Sequence, residues 1–485
     1  MLASKPLIID LAGAELSPEE RTALRQQPIS GICLFRRNLI DLEQSQALLQ
    51  DVQQTVGRDI LIAVDQEGGA VSRIPYLPQP PSAMALAAVG DAHSCELIGA
   101  AVARGLAAIG INWNFAPVLD LNSNPNNPVI AERSFGVDPQ QVSHLALAWQ
   151  RGHKAEGVAT CIKHFPGHGD TVLDSHHHLP RVDKRYAELL DYELAPFLSA
   201  LPQSPAIMSS HILFDALDTT QPATLSYRIL TQLLREQYGY QGVIVTDAMN
   251  MRAITQHNTQ AAACAQALSA GADLVLAFGS ANKLQNTVAT IQQMATISPD
   301  AQQRIHHLIQ TFPSQIRPYT RSQQQQDSCL MATLWQRALT AYRQPQRPPL
   351  GKPLRVLIQQ SPAATAISEA GVDSAKLLQR FAQYYPLEVI PFDTVNNVDP
   401  AYFKEKAYTT LLVSTQRKRY QAAQVQHWQP DLHLVLWNPY CAFDIQAPAI
   451  ISYGFAAAAI DALFAWLTGK IEANGTFPGI KHSAL

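Results

Sequence analysis

The run Lys163-His164-Phe165-Pro166-Gly167-His168-Gly169-Asp170-Thr171 continues through Val172-Leu173-Asp174-Ser175-His176-His177-His178-Leu179-Pro180, setting five imidazoles, one lysine and two carboxylates within eighteen residues. Proline and glycine early in the run forbid a regular helix, so it reads as a loop. It follows the apolar stretch 158–162, a buried strand, so the polar groups begin where that strand ends. Asp174 and His176 are two apart, and in an extended backbone side chains at that spacing leave the same face. A carboxylate beside an imidazole fixes its tautomer and supports its protonated form, and an unperturbed histidine titrates near about pH 6.5. The pair is therefore a candidate proton donor and acceptor at neutral pH. Two other readings compete: a solvated histidine-rich loop, and a zinc site built on His164, His168, His176, His177 and His178. In an extended chain the last three alternate sides, so only two could face one ion.

Polar residues recur just after other apolar runs. Residues 60–64 lead into Asp65-Gln66-Glu67-Gly68-Gly69, 113–118 into Asp120, 206–210 into His211, and 243–246 into Asp247. Any one of these could be a cap or turn residue, and Asp247 could cap the helix that follows it. Repetition at the ends of five strands points instead to a shared site.

The apolar runs themselves, at 7–11, 31–35, 60–64, 113–118, 160–163, 206–210, 243–246 and 274–278, alternate with helical segments such as 42–56, 94–108, 139–156, 227–238 and 260–270. Such alternation predicts βα units and a parallel sheet. Eight strands over about 250 residues is the size of a (β/α)8 barrel, whose active site sits where the strands end. A doubly wound open sheet fits the same pattern.

The chain has 485 residues, more than one core usually organises. Residues 312–353 are polar and punctuated by proline, with a helix expected over 330–342, and read as a linker between a catalytic domain at 1–311 and a smaller C-terminal α/β domain at 354–485. That second domain carries apolar strands at 355–358, 387–390, 410–413 and 432–437. A formal net charge of −3 gives no electrostatic footprint for nucleic acid or an anionic membrane. The six cysteines are widely scattered, as buried free thiols in a reducing compartment would be. No signal-like run opens the chain and no stretch is long enough to span a bilayer, so a cytoplasmic protein is expected.

The Lys-His-Phe-Pro-Gly-His-Gly segment leading into Asp-Ser-His resembles the signature of family 3 glycoside hydrolases of the β-N-acetylglucosaminidase branch. The likeness covers about residues 5–310 strongly and 350–480 faintly, and it implies a (β/α)8 TIM-type barrel followed by a smaller α/β sandwich domain. It also implies a nucleophile at Asp247, in the segment Val-Ile-Val-Thr-Asp, and a proton donor at His176 supported by Asp174. Sugar-binding positions match at Asp65 and Arg73, at Arg133 in Glu-Arg-Ser, and at Lys163 and His164; Ala70 stands where the family usually has another arginine. The implied reaction is retaining hydrolysis of terminal β-linked N-acetylglucosamine from a small saccharide or muropeptide in cell-wall recycling, with no metal or organic cofactor.

A histidine donor removes one negative charge from the site, which keeps phosphorolysis open beside hydrolysis. A β-glucosidase or β-xylosidase of the same family would take its acid from the second domain and lack the Asp-x-His loop. A non-catalytic sugar-binding barrel would have lost Asp247, Asp174 or His176. The oligomeric state is not written in these motifs.

Overall fold

The computed structural model describes residues 5–27, 29–360, 368–405 and 407–479. All eight expected strands of the first domain form: β1 (Lys5–Asp10), β2 (Ile29–Leu34), β3 (Leu61–Val64), β4 (Trp113–Asn114), β5 (Ala159–Thr160 running into Ile162–Phe165), β6 (Ala206–Ser209), β7 (Val243–Ala248) and β8 (Leu274–Leu276). They make one all-parallel sheet that begins with Ala159–Thr160 and ends with Ile162–Phe165. Both ends are pieces of β5, so the sheet closes on itself as a (β/α)8 barrel. The open-sheet alternative is thereby removed.

β4 is shorter than the expected 113–118. Pro117 has no N–H to give, and past Asn114 the ladder to β5 continues as separate bonds around Val118: Cys161 N–H to the Ala116 carbonyl, Lys163 N–H to that of Pro117, and Leu119 N–H to that of Lys163.

Alternation along the strands separates two apolar layers. Ile8, Cys33, Leu61, Trp113, Phe115, Cys161, Met208, Val245 and Leu276 fill the barrel, with Ile305 and Leu308 of the helix Ala301–Thr311, and Phe312 just after it, against them. Residues of the opposite parity pack outward under the helices. Local signals set those helices: Asp41 and Thr259 cap Leu42–Val56 and Gln260–Ala270, and Gly57 and Gly271 end them in the left-handed region.

The helix expected over 330–342 lies instead at Arg321–Ala338. Thr320 and Gln323 form a capping box at its start, so the glutamine run that suggested a loose linker is its first two turns. Met331 and Leu334 enter the barrel core, while Trp335 and Ala338 enter the second core. A strand, β9 (Thr340–Tyr342), follows at once.

The second domain adds β10 (Leu354–Gln359), β11 (Leu387–Phe392), β12 (Thr409–Ser414), β13 (Leu432–Val435) and β14 (Ala449–Ile451). Their order is β9-β14-β13-β12-β10-β11, parallel except for the β9–β14 edge. Met84, Ala85 and Ala88 of the barrel helix Ala83–Val89 belong to this second core. Among the described residues no helix is long and apolar enough to cross a membrane.

Candidate active site

One cavity of about 370 Å³ lies at the carboxyl ends of the strands, lined among others by Asp65, Arg73, Arg133, Lys163, His164, His176 and Asp247. Seven of the eight residues singled out from sequence meet there. Asp174, the eighth, stands behind His176 and binds its ring.

β3 ends at Val64, and Asp65 leads into the short ribbon Gln66–Gly68 with Val71–Ser72. The Gln66 side chain ties that ribbon together, donating to Ser72 Oγ (2.8 Å) and accepting from the Arg73 N–H (2.8 Å). Arg73 is thereby brought back to the cavity. It is buried, its Nη1 lies 3.3 Å from Glu369 of the second domain, and its Nε and Nη1 have no hydrogen-bond partner. The glycines at 68 and 69 have the room a side chain would need taken up by neighbouring chain. They pack against Pro81 and Ser82, where a Cβ would meet atoms at 2.3 and 2.5 Å.

Lys163 projects from β5 and donates to Asp65 Oδ1 (2.6 Å) and Glu67 Oε1 (2.6 Å). Arg133 grips the same Glu67 through two bonds of 2.8 Å. Burial would pull Lys163 down, but the two carboxylates raise it, so it stays charged. Burial would push Glu67 up, and the two cations hold it well below the usual carboxylate range. Glu67 is thus the residue that keeps both cations in place.

His164 is held by Asp120, which accepts from Nδ1 (2.6 Å) and from the backbone N–H groups of His164 (3.1 Å) and His168 (2.7 Å). This fixes the His164 tautomer with its proton on Nδ1. Asp247, near the end of β7, accepts from the Ala248 N–H at 2.7 Å. Enclosure alone would raise its pKa, but His211, His164, His176 and that N–H bring it to about 2, so it is a carboxylate at any ordinary pH. His211 lies beneath, Nε2 3.0 Å from the Ala248 carbonyl, an acceptor only, so this nitrogen carries the proton.

The Asp174–His176 pair forms across a turn and not along an extended strand. Asp174 Oδ1 accepts from the His176 N–H (2.8 Å) and from its Nδ1 (2.7 Å), and the Asp174 carbonyl accepts from the His177 and His178 N–H groups. His168 bridges the loop, Nδ1 to Thr171 Oγ1 and Nε2 to Ser175 Oγ, both at 3.0 Å. With both ring nitrogens engaged and the ring buried, it is a loop anchor, and no group of three His, Cys, Asp or Glu among the described residues is arranged to hold a metal ion. Asn127 pins the loop base, its Nδ2 donating to the carbonyls of His168 and Gly169.

Asp120, His211 and Glu67 were visible in the sequence as strand-end polar residues without a role. Nothing in the sequence pointed to Asn127, or to Glu369, Arg417 and Trp437 of the second domain. Arg417 donates to the carbonyls of Pro128 and Val129, and Trp437 Nε1 to Glu132 Oε1 (2.9 Å), next to Arg133.

Comparison with known proteins agrees with this architecture. The chain is 40% identical over 285 residues to beta-hexosaminidase A of Pseudoalteromonas piscicida, 54% of this chain and 48% of that protein, so it spans about half the length of that relative. It is 34% identical over 321 residues to a beta-hexosaminidase of Bordetella avium, 64% of this chain and 90% of that protein. A solved family 3 beta-N-acetylglucosaminidase from Paenibacillus superposes with a TM-score of 0.86 at 29% identity, covering 99% of this chain and 98% of that one. NagZ from Neisseria gonorrhoeae, solved with N-trifluoroacetyl-D-glucosamine, matches at a TM-score of 0.61 and 31% identity over 68% of this chain and 98% of its own. Residues 5–309 match the glycosyl hydrolase family 3 N-terminal domain, and the chain belongs to that family.

Proposed function

We propose that the protein is a retaining exo-β-N-acetylglucosaminidase. The observation that carries this reading is the meeting, in one cavity, of an ionised carboxylate and an imidazole whose far nitrogen is bound by a second carboxylate. Asp174 itself is pushed up by partial burial but brought down to about 2 by its bonds to His176, so it stays negative and holds the ring with its proton on Nδ1.

In the first step Asp247 attacks the anomeric carbon while the bond to the leaving oxygen breaks and His176 Nε2–H gives that oxygen its proton. The neutral ring keeps its proton on Nδ1, donated in a hydrogen bond to Asp174. In the second step it takes a proton from water as the water oxygen displaces Asp247, which restores the enzyme and retains the configuration. Asp65, Arg73, Arg133, Lys163 and His164 hold the sugar hydroxyls and acetamido group. A cavity near the lower end of the roughly 300–1,000 Å³ of small-molecule sites suits a single terminal sugar.

No residue of the second domain lines this cavity among the described residues, which argues against the β-glucosidase or β-xylosidase reading, where the acid comes from that domain. We take the substrate to be cell-wall saccharides or muropeptides handled in the cytoplasm, a compartment that suits the free, mostly buried thiols.

The test is turnover of an aryl β-N-acetylglucosaminide against an aryl β-glucoside, each with and without phosphate, followed by labelling with a fluorinated N-acetylglucosaminyl inactivator. Hydrolysis of the first substrate alone, with the label on Asp247, is the expected result. Turnover that requires phosphate would make the protein a phosphorylase, and a label on another carboxylate would move the nucleophile.

A further inference from the structure

The segment from Asn127 to Ser134 carries Arg133 to the active site with little regular structure to stiffen it. Only the single turn Ala131–Arg133 is helical. Ala131, just before Glu132 and Arg133, has a φ of 40°, in the left-handed region that favours glycine. A residue with a Cβ keeps such a conformation only where its surroundings hold it there.

The second domain holds it from both sides. Before Ala131, Arg417 donates through Nε to the Pro128 carbonyl (2.8 Å) and through Nη2 to that of Val129. After it, Trp437 Nε1 donates to Glu132 Oε1 (2.9 Å). Arg417, Trp437 and Glu132 are all buried, so water does not compete for these bonds. The Arg417 guanidinium lies over the Trp437 ring, 5.9 Å from its centre, and Phe455 packs edge-on against that ring at 4.9 Å. The two clamps are therefore one packed unit.

The carbonyl that Arg417 holds also aims Arg133. Of the five N–H groups of that guanidinium, Nε and one on Nη2 go to Glu67, and one on Nη1 goes to the Val129 carbonyl (3.1 Å). Two are left for a ligand, one on each terminal nitrogen. Their direction is set by Glu67 at one side and by Val129 at the other, and Val129 sits where Arg417 holds it.

We propose that Trp437 and Arg417 are positioning residues for Arg133: by clamping the chain on either side of Ala131, the second domain aims the guanidinium that binds the sugar. This rests on the glycosidase reading above, in which Arg133 holds the substrate. It gives the second domain a part in substrate binding although none of its described residues lines the cavity.

The experiment measures kcat and KM of the full chain for an aryl β-N-acetylglucosaminide. Trp437→Phe keeps an aromatic ring in the packed unit but removes the N–H, and Glu132→Met breaks the same bond from the barrel side. Each should raise KM about tenfold, as the loss of one hydrogen bond allows, with kcat within about twofold of wild type, because a binding group is misaimed while the reacting groups are not. Adding Ala131→Gly to Trp437→Phe should recover part of the KM, since glycine keeps a positive φ without a clamp. In an Arg133→Met background Trp437→Phe should raise KM no further. A fall in kcat at unchanged KM, as loss of folded enzyme gives, overturns the inference. So does a lack of recovery with Ala131→Gly, or a full rise in KM in the Arg133→Met background. All three leave the glycosidase reading intact, whereas failure of the wild type to cleave the aryl substrate overturns that reading and the inference with it.

Discussion

Asp174 Oδ1 accepts two bonds from His176, one from its amide and one from its ring, so the carboxylate sets both where the residue sits and which nitrogen carries the proton. Removing the carboxylate leaves an imidazole with neither control. Asp174→Ala should therefore lower turnover of a natural disaccharide by about 10²-fold or more but cost little with a dinitrophenyl glycoside, whose leaving group needs almost no proton. His176→Ala should show the same ordering more strongly, with azide restoring turnover of the activated substrate. A uniform loss across leaving groups, without azide rescue, would reassign His176 to binding.

Glu67 is bonded to two buried cations at once, Lys163 at 2.6 Å and Arg133 at 2.8 Å. Deleting one partner of a buried ion pair strands the other charge, at a cost of about 3–5 kcal/mol. Glu67→Ala should lower the melting temperature more than Asp65→Ala, because Lys163 then keeps Glu67. Adding Lys163→Met to Glu67→Ala should recover part of the loss. A Glu67→Ala protein as stable as wild type would mean that the cations find other partners.

Gly169 lies so close to the neighbouring backbone that a Cβ there would fall 1.4 Å from the Leu121 carbonyl oxygen. Backbone cannot yield as a flexible side chain does, so Gly169→Ala must displace the base of the catalytic loop. A misplacement of about 1 Å costs on the order of 10²-fold in rate. We expect kcat to fall by that much with disaccharide substrates while the protein remains folded by circular dichroism. Wild-type turnover in Gly169→Ala would show that the loop base adapts.

The barrel strands are legible in the sequence because both their faces are buried, which leaves continuous apolar runs, and because the polar residues that follow them mark the open end of the barrel. The pairing of Asp174 with His176 is legible too, although it arises from a turn that bonds side chain to backbone and not from strand alternation. What the sequence hides is mediated by distance. Glu67 is one of many acidic residues until the fold places Arg133, sixty-six positions away, against it. Arg417 reaches the segment at Val129 across 288 positions. The helix Arg321–Ala338 was obscured for another reason, since its glutamine-rich start faces solvent and carries no apolar period.

His168 offers a test in pH. It is buried between Thr171 Oγ1 and Ser175 Oγ, and burial, with His164 nearby, holds it at about 4, below the roughly 6.5 of an unfolded histidine. Between those values the unfolded chain binds a proton that the folded chain refuses, so stability is lost as pH falls from about 6.5 towards 4. For one such ring the loss between pH 8 and pH 5 is about 2 kcal/mol. His153 and His433, each held at about 3 by burial, titrate in the same direction and keep part of the slope in any single variant. His168→Gln, which retains a donor and an acceptor but cannot titrate in this range, should therefore be less stable than wild type at pH 8 and show a shallower fall in melting temperature between pH 6.5 and 4. Parallel curves for the two proteins would mean that His168 is protonated in the folded state, and the loop would then be held by a charged ring rather than a neutral one.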